Sequence, residues 1–213
     1  MLGSAGEKAA ELPSGVRHWP GYFDASEQEQ LVALIRQKLA DAPLFTPAMP
    51  RTGKPMSVRM TNFGSLGWVT DKERGYRYQS EHPDTGQAWP SIPKILLDLW
   101  SEVVSPDYEP EACLVNYYED GAKMGQHQDR DEEVFDAPVL SVSLGNACLF
   151  RVGGTKRGGK TSSLRLESGD VMMLSGDSRL AYHGVDRIYK DTSDLLKNGG
   201  RLNLTLRRVT ARG

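Results

Sequence analysis

The sequence predicts an α+β fold whose core is a double-sheet barrel or jelly roll. Three observations predict it. Two helical patterns lie in the first half of the chain, at residues 26–41 and 92–103. Strands dominate from residue 111 onward, short and separated by Gly-rich turns, as in LFRV, SSLRLES and DVMML. No internal repeat or linker divides the 213 residues, which are enough for one domain with a sizeable core.

Taken in order, residues 1–14 are expected to be a mobile leader, and GVRHWPGYF at 15–23 a short strand and turn. Ser26-Glu-Gln-Glu29 fits a capping box at a helix start. Leu31, Leu34, Ile35 and Leu39 follow at helical spacing, and Pro43 ends the run. Residues 43–92 read as irregular and rich in Pro, Gly, Thr and Ser. They carry Met60, Trp68, Tyr76, Tyr78 and Trp89, interleaved with Arg51, Lys54, Arg59, Lys72, Arg74 and Arg77. Aromatics among basic residues suit a flipped or single-stranded base. Composition alone favours a minor core under a long loop. In the second helix, Ile95, Leu96, Leu99 and Val103 should face inward.

The chemistry-bearing residues come late. His127-Gln-Asp129 sets an imidazole and a carboxylate two residues apart, on one side of an extended segment. Tyr182-His183-Gly184 supplies a second histidine. Two His and one carboxylate with open positions is the ligand set of non-haem Fe(II) oxygenases. Arg201-Leu-Asn-Leu-Thr-Leu-Arg207 alternates strictly, so Arg201, Asn203, Thr205 and Arg207 share one face and the leucines the other. A strip with two Arg suits a dicarboxylate. Each piece alone has a plainer reading: a common triplet, a hydrogen-bonded histidine, a half-exposed strand. Together they are much more specific. Gly153–Lys160 is a basic, Gly-rich loop, but it lacks the phosphate-loop order and no helix follows it.

Composition narrows the classes. A net charge of −2 argues against a large non-specific nucleic-acid binder, though not against a small basic groove. No apolar run is long enough for a membrane span or a signal peptide, so a cytoplasmic protein is expected, with no membrane partner. Cys113 and Cys148 lie in apolar runs and read as buried free thiols.

These motifs carry a family resemblance. MSVRMTNFGSLGW at 56–68, PDYEPEACLVNYYEDGAKMGQHQDRDE at 106–132, PVLSVSLGNACLFRVGG at 138–154, SGDVMMLSGDSRLAYHGV at 168–185 and RLNLTLR at 201–207 resemble the AlkB-type dioxygenases. The resemblance spans about residues 43–208. It implies a double-stranded β-helix core with N-terminal helices and a nucleotide-recognition lid. The expected organisation is a leader, strand and scaffold helix over 1–42, the lid and second helix over 43–105, and the dioxygenase core over 106–213, in one compact domain.

The resemblance further implies Fe(II) on His127, Asp129 and His183, which serve as the catalytic centre, with 2-oxoglutarate and O2 as cosubstrates. Arg201 and Arg207 would bind the 2-oxoglutarate carboxylates, helped by Asn116, Tyr118, Asn203 and Thr205. Met60, Trp68, Tyr76, Tyr78, Asp131 and Arg157 would meet the substrate. That substrate would be 1-methyladenine or 3-methylcytosine in DNA, single-stranded or flipped from a duplex, with RNA as a second partner and a monomer as the working form. Residue by residue, a solvated acid in DRDEE is the safer reading of Asp131, and Arg157 reads equally as part of a solvated turn. Leu174 and the Trp68–Tyr76 spacing depart from the family pattern. Two rivals remain. An oxygenase acting on a protein or small molecule would need no aromatic-basic lid, and a non-catalytic nucleic-acid-binding module would have no use for the triad. A zinc hydrolase shares the ligand chemistry but leaves the two-arginine strip unexplained.

Overall fold

The computed structural model describes residues 12–104 and 109–211. Twelve strands and two α-helices follow the order β1 (Val16–Trp19), α1 (Ala25–Lys38), β2 (Val58–Gly64), β3 (Gly67–Asp71), β4 (Gly75–Gln79), α2 (Lys94–Val103), β5 (Ala112–Tyr118), β6 (Met124–His127), β7 (Val139–Gly145), β8 (Cys148–Val152), β9 (Ser162–Leu166), β10 (Val171–Leu174), β11 (His183–Ile188) and β12 (Arg201–Arg207). Six strands form one sheet in the order β1-β10-β7-β12-β5-β2, and four form a second in the order β6-β11-β8-β9. Every named pairing is antiparallel. The two sheets make up a jelly-roll core.

The leucine face of β12 explains where the helices sit. Leu202, Leu204 and Leu206 pack with Leu31, Val32 and Ile35 of α1 and with Leu96, Leu99 and Trp100 of α2. Each fully buried leucine contributes about 1.5–3 kcal/mol. The helices therefore cover the outer face of the six-stranded sheet. The opposite face looks between the sheets, where Val139, Phe150, Met172, Leu174 and Val185 form a second apolar cluster. Ser141 and Ser143, which alternate with the β7 leucines, are buried on that inner face.

Three expectations need adjusting. The capping box is formed by Asp24 and Glu27, two residues before the predicted one: Asp24 Oδ1 accepts from the Glu27 N–H, and Glu27 Oε2 accepts from the Asp24 N–H. The sequence offered both D-x-x-E and S-x-x-E, and the aspartate took the role. Residues 43–92 are not irregular, since β2 pairs with β5 over all seven of its residues and β3 with β4 as a hairpin. Two buried polar residues hid β2: Thr61 Oγ1 donates to Ala42 O, and the Asn62 amide bridges the Trp68 N–H and carbonyl. The leader expected over 1–14 falls mostly outside the described residues, as does the boundary at residue 105. Within it, Leu12 packs on the inner cluster and Ser14 O accepts from Ser178 Oγ, so these residues are anchored. Cys113 and Cys148 are buried and free, as expected.

Candidate active site

His127 ends β6 and His183 begins β11, and the two are directly opposite in register. Gly184 permits this. A side chain there would sit 2.5 Å from Met124 O, so only glycine lets the two backbones approach so closely. The imidazole ring centres are 4.5 Å apart. Asp129 lies two residues past the end of β6, with Oδ1 3.6 Å from His127 Nε2 and Oδ2 3.5 Å from His183 Nε2. One ligand atom from each of the three lies within 4.8 Å of the others, the one such group among the described residues. Each histidine is turned by its other nitrogen: His127 Nδ1 bonds Gly125 O at 3.0 Å and His183 Nδ1 bonds Ala181 O at 2.9 Å. That is how metal-ligating histidines are oriented, with Nε2 presented to the ion.

Without metal, the three groups form a charge cluster in which Asp129 and His183 are buried and the His127 side chain is 41% exposed. Burial pushes the His183 imidazole down to about 4, against the pull of Asp129. Burial also opposes a charged His127, but the hydrogen bond and charge of Asp129 outweigh it and raise its pKa. Burial alone would raise Asp129, yet Arg207, His183 and His127 together hold its carboxyl well below the usual range. The carboxylate is thus ionised and His183 neutral near pH 7, the protonation states that metal ligation requires.

Three of the four polar residues of β12 line this site; Thr205 and Arg207 are buried and Asn203 is partly so. Asn203, Thr205 and Arg207 join Asn116, Tyr118, His127, Asp129, His183 and Leu174 around one inner pocket. Asn203 Nδ2 also donates to Val142 O. At the far end, Arg201 is 1% exposed. Its Nη2 donates to Ser143 Oγ at 2.8 Å, while Nε and Nη1 have no partner among the described residues. A buried guanidinium with two unmet donors is a site for an anion. The donor set therefore fits both groups expected there: His, His and Asp for Fe(II), and Arg201 for a carboxylate of 2-oxoglutarate.

Arg207 is engaged differently. Nη2 meets Asp129 Oδ1 at 2.7 Å, and Nη1 donates to Glu132 Oε1 at 2.8 Å and to Tyr78 Oη at 3.1 Å. Tyr78 Oη in turn donates to Glu132 Oε1 at 2.6 Å. Tyr78, expected at the substrate, thus has its hydroxyl in this ionic group, and it does not line the outer groove. Glu132 and Arg179 were not foreseen. Arg179 donates to Asp129 O, Ala137 O and Glu132 Oε2. In sequence, Glu132 sits in an acidic run and Arg179 follows a turn, so beyond lying within the matching motifs neither residue pointed to a role.

An outer groove of about 590 Å³ opens onto the metal cluster and shares Asn116, Met124, His127, Asp129 and Arg207 with the inner pocket. Met60, Trp68, Tyr76, Asp131 and Arg157 line it. Trp68 and Tyr76 are diagonal neighbours on the β3–β4 hairpin and stack, ring centres 5.5 Å apart at 23°. Tyr76 is 50% exposed. Trp68 Nε1 donates to Asp131 Oδ2 at 2.8 Å, so Asp131 is held against the aromatic wall and is no free acid. Arg157 lies over the Tyr182 ring, 5.5 Å from its centre, which brings the tip of the β8–β9 hairpin to the groove.

The chain is similar to known proteins over most of its length. Residues 15–207 match the model of the 2OG-Fe(II) oxygenase superfamily. The chain is 54% identical over 202 residues to the alpha-ketoglutarate-dependent dioxygenase AlkB homolog of Caulobacter vibrioides, covering 95% of this chain and 91% of that one. It is 40% identical to alpha-ketoglutarate-dependent dioxygenase AlkB of Escherichia coli over 88% of this chain and 87% of that one. It is 37% identical to tRNA demethylase abh1 of Schizosaccharomyces pombe, over 66% of this chain and 48% of that one. Among solved structures, OsALKBH1 superposes with a TM-score of 0.80 at 28% identity, covering 94% of this chain and all of that one.

Proposed function

The chain belongs to the AlkB-type dioxygenases of the 2OG-Fe(II) oxygenase superfamily, and on that premise we propose that it oxidatively demethylates N-alkylated bases in nucleic acid, chiefly 1-methyladenine and 3-methylcytosine in DNA. The products are the repaired base, formaldehyde, succinate and carbon dioxide. RNA is a second substrate class, in line with the tRNA demethylase among the relatives. The observation that carries the reading is the groove walled by Trp68 and Tyr76 that opens onto His127 and Asp129.

His127, Asp129 and His183 would hold Fe(II), and Arg201 would take a 2-oxoglutarate carboxylate, with Asn116, Tyr118, Asn203, Thr205 and Arg207 enclosing the rest. When bound, iron and 2-oxoglutarate supply the oxidation of the methyl group by O2. The chain's own work is recognition and enclosure. A methylated base pairs poorly, so drawing it from the stack costs less. Trp68 and Tyr76 give it an aromatic wall, where a cationic ring gains cation–π attraction as well as stacking. Asp131, fixed by Trp68, adds a negative charge beside that ring. Arg157 at the rim suits a phosphate of the strand. Asp129 and His183 are buried, while the groove leaves the His127 side chain 41% exposed, so a bound base would itself have to displace water from this mouth.

The test is anaerobic loading with Fe(II), followed by oxygen, 2-oxoglutarate and a panel of methylated DNA and RNA oligonucleotides read by mass. Loss of one methyl group with matching succinate is expected on 1-methyladenine and 3-methylcytosine. Succinate without any change in the oligonucleotides would instead favour a protein or small-molecule substrate.

A further inference from the structure

Glu132 is a buried carboxylate, with 0% of its side chain exposed, only three residues beyond Asp129. Burying a charge is costly unless the charge is fully paired, and Glu132 is paired on both oxygens. Oε1 accepts from Arg207 Nη1 and Tyr78 Oη, and Oε2 accepts from Arg179 Nη2 at 3.2 Å. Arg179 also grips Asp129 O at 2.8 Å, so one guanidinium pins both ends of the segment 129–132. Arg207 is shared in the same way, with Nη1 on Glu132 and Nη2 on Asp129.

We infer that Glu132 is a positioning residue for the metal ligand Asp129, acting through Arg207, with Tyr78 and Arg179 as its anchors. The physical reason is charge sharing. Asp129 must give lone pairs to a dication while a guanidinium sits 2.7 Å from its Oδ1. Were Arg207 paired with Asp129 alone, its whole charge would compete with the metal. Glu132 draws half of that guanidinium away and offsets its charge. Tyr78 reaches Glu132 from β4, so the hairpin carrying Trp68 is fastened to the ligand's frame.

The inference rests on the assignment of His127, Asp129 and His183 as metal ligands, and the test separates the two. Co(II) is titrated into the apo protein, following both affinity and the d–d absorption bands. Glu132→Gln should weaken Co(II) binding by about tenfold to a hundredfold and alter the band shape, with Glu132→Asp recovering part of the affinity. Tyr78→Phe, which removes only the hydroxyl, should weaken binding a few-fold. Combined with Glu132→Gln it should add less than its own effect, because the two act on one network. A purely structural role would lower the unfolding temperature and leave Co(II) affinity and spectrum unchanged in the folded protein, and that result overturns the inference. Should Glu132→Gln not fold, unchanged Co(II) binding by Tyr78→Phe overturns it equally. His127→Ala is the control for the assignment. If it loses Co(II) while Glu132→Gln does not, only the inference falls. If it binds Co(II) like wild type, both fall.

Discussion

The two arginines of β12 are six residues apart on one face of one strand, both buried, and they are built for different work. Arg207 is charge-paired. Asp129, Glu132 and Tyr78 occupy Nη1 and Nη2, with Nε left over. Arg201 has one neutral partner, Ser143, and two buried donors unmet. A buried cation stands only with a counter-charge. Arg207 finds its own within the chain, while Arg201 depends on a ligand to bring one. One end of the strip therefore frames the metal ligands and the other recognises an anion.

The largest effects should come at the framing end. Replacing His127, Asp129 or His183 with Ala should abolish demethylation and uncoupled 2-oxoglutarate turnover together, because each removes a ligand. Succinate formation is the measurement, and near-normal turnover in any one variant would remove that residue from the set. Arg207→Leu should destabilise the fold by about 3–5 kcal/mol in urea unfolding, since it strands the buried Asp129 and Glu132 carboxylates. A loss of less than about 1 kcal/mol would mean that the network is not what holds this end together.

Asp131 sharpens the comparison from outside the strip. Asp131→Ala keeps the triad and both arginines, so basal 2-oxoglutarate turnover should survive. Repair of cationic 1-methyladenine should fall further than repair of neutral 1-methylguanine in the same oligonucleotide. Equal losses on both would place Asp131 in the frame and not in recognition.

The smallest effect concerns Asp170, which hydrogen-bonds His18 beyond the strip. Burial of Asp170 opposes its ionisation, but the hydrogen bond from His18 and the N–H groups of Glu167 and Gly21 outweigh it and lower its pKa. A carboxyl lowered on folding contributes stability that is complete above the ordinary carboxylate range and is lost as pH falls through the folded value. The stability difference between wild type and Asp170→Asn should therefore be constant near neutral pH and shrink in acid. A difference independent of pH would show that the carboxylate's charge plays no part.

The comparison also marks where the sequence was legible. Alternation in RLNLTLR put Arg201 and Arg207 on one face and the leucines on the other, and period-2 geometry ensured it. The H-x-D and distal-histidine pattern located the triad because two of its members are neighbours and the third heads a recognisable strand. That the two arginines differ was not legible. It depends on Glu132 and Tyr78, which meet Arg207 from 75 and 129 positions away. Glu132 looked like one more solvated acid. β2 was missed for a related reason: Thr61 and Asn62 read as loop residues, and only their partners in the fold make them strand.

Calorimetric titration of 2-oxoglutarate into Mn(II)-loaded protein, wild type against Arg201→Leu, tests the division of the strip most directly. Loss of a charge-assisted pair worth about 1.5–3 kcal/mol should weaken binding by about tenfold to 150-fold, with Mn(II) affinity unchanged. Equal 2-oxoglutarate affinity in the two proteins, or a matching loss of Mn(II), would contradict the assignment of Arg201 to the anion and Arg207 to the metal frame.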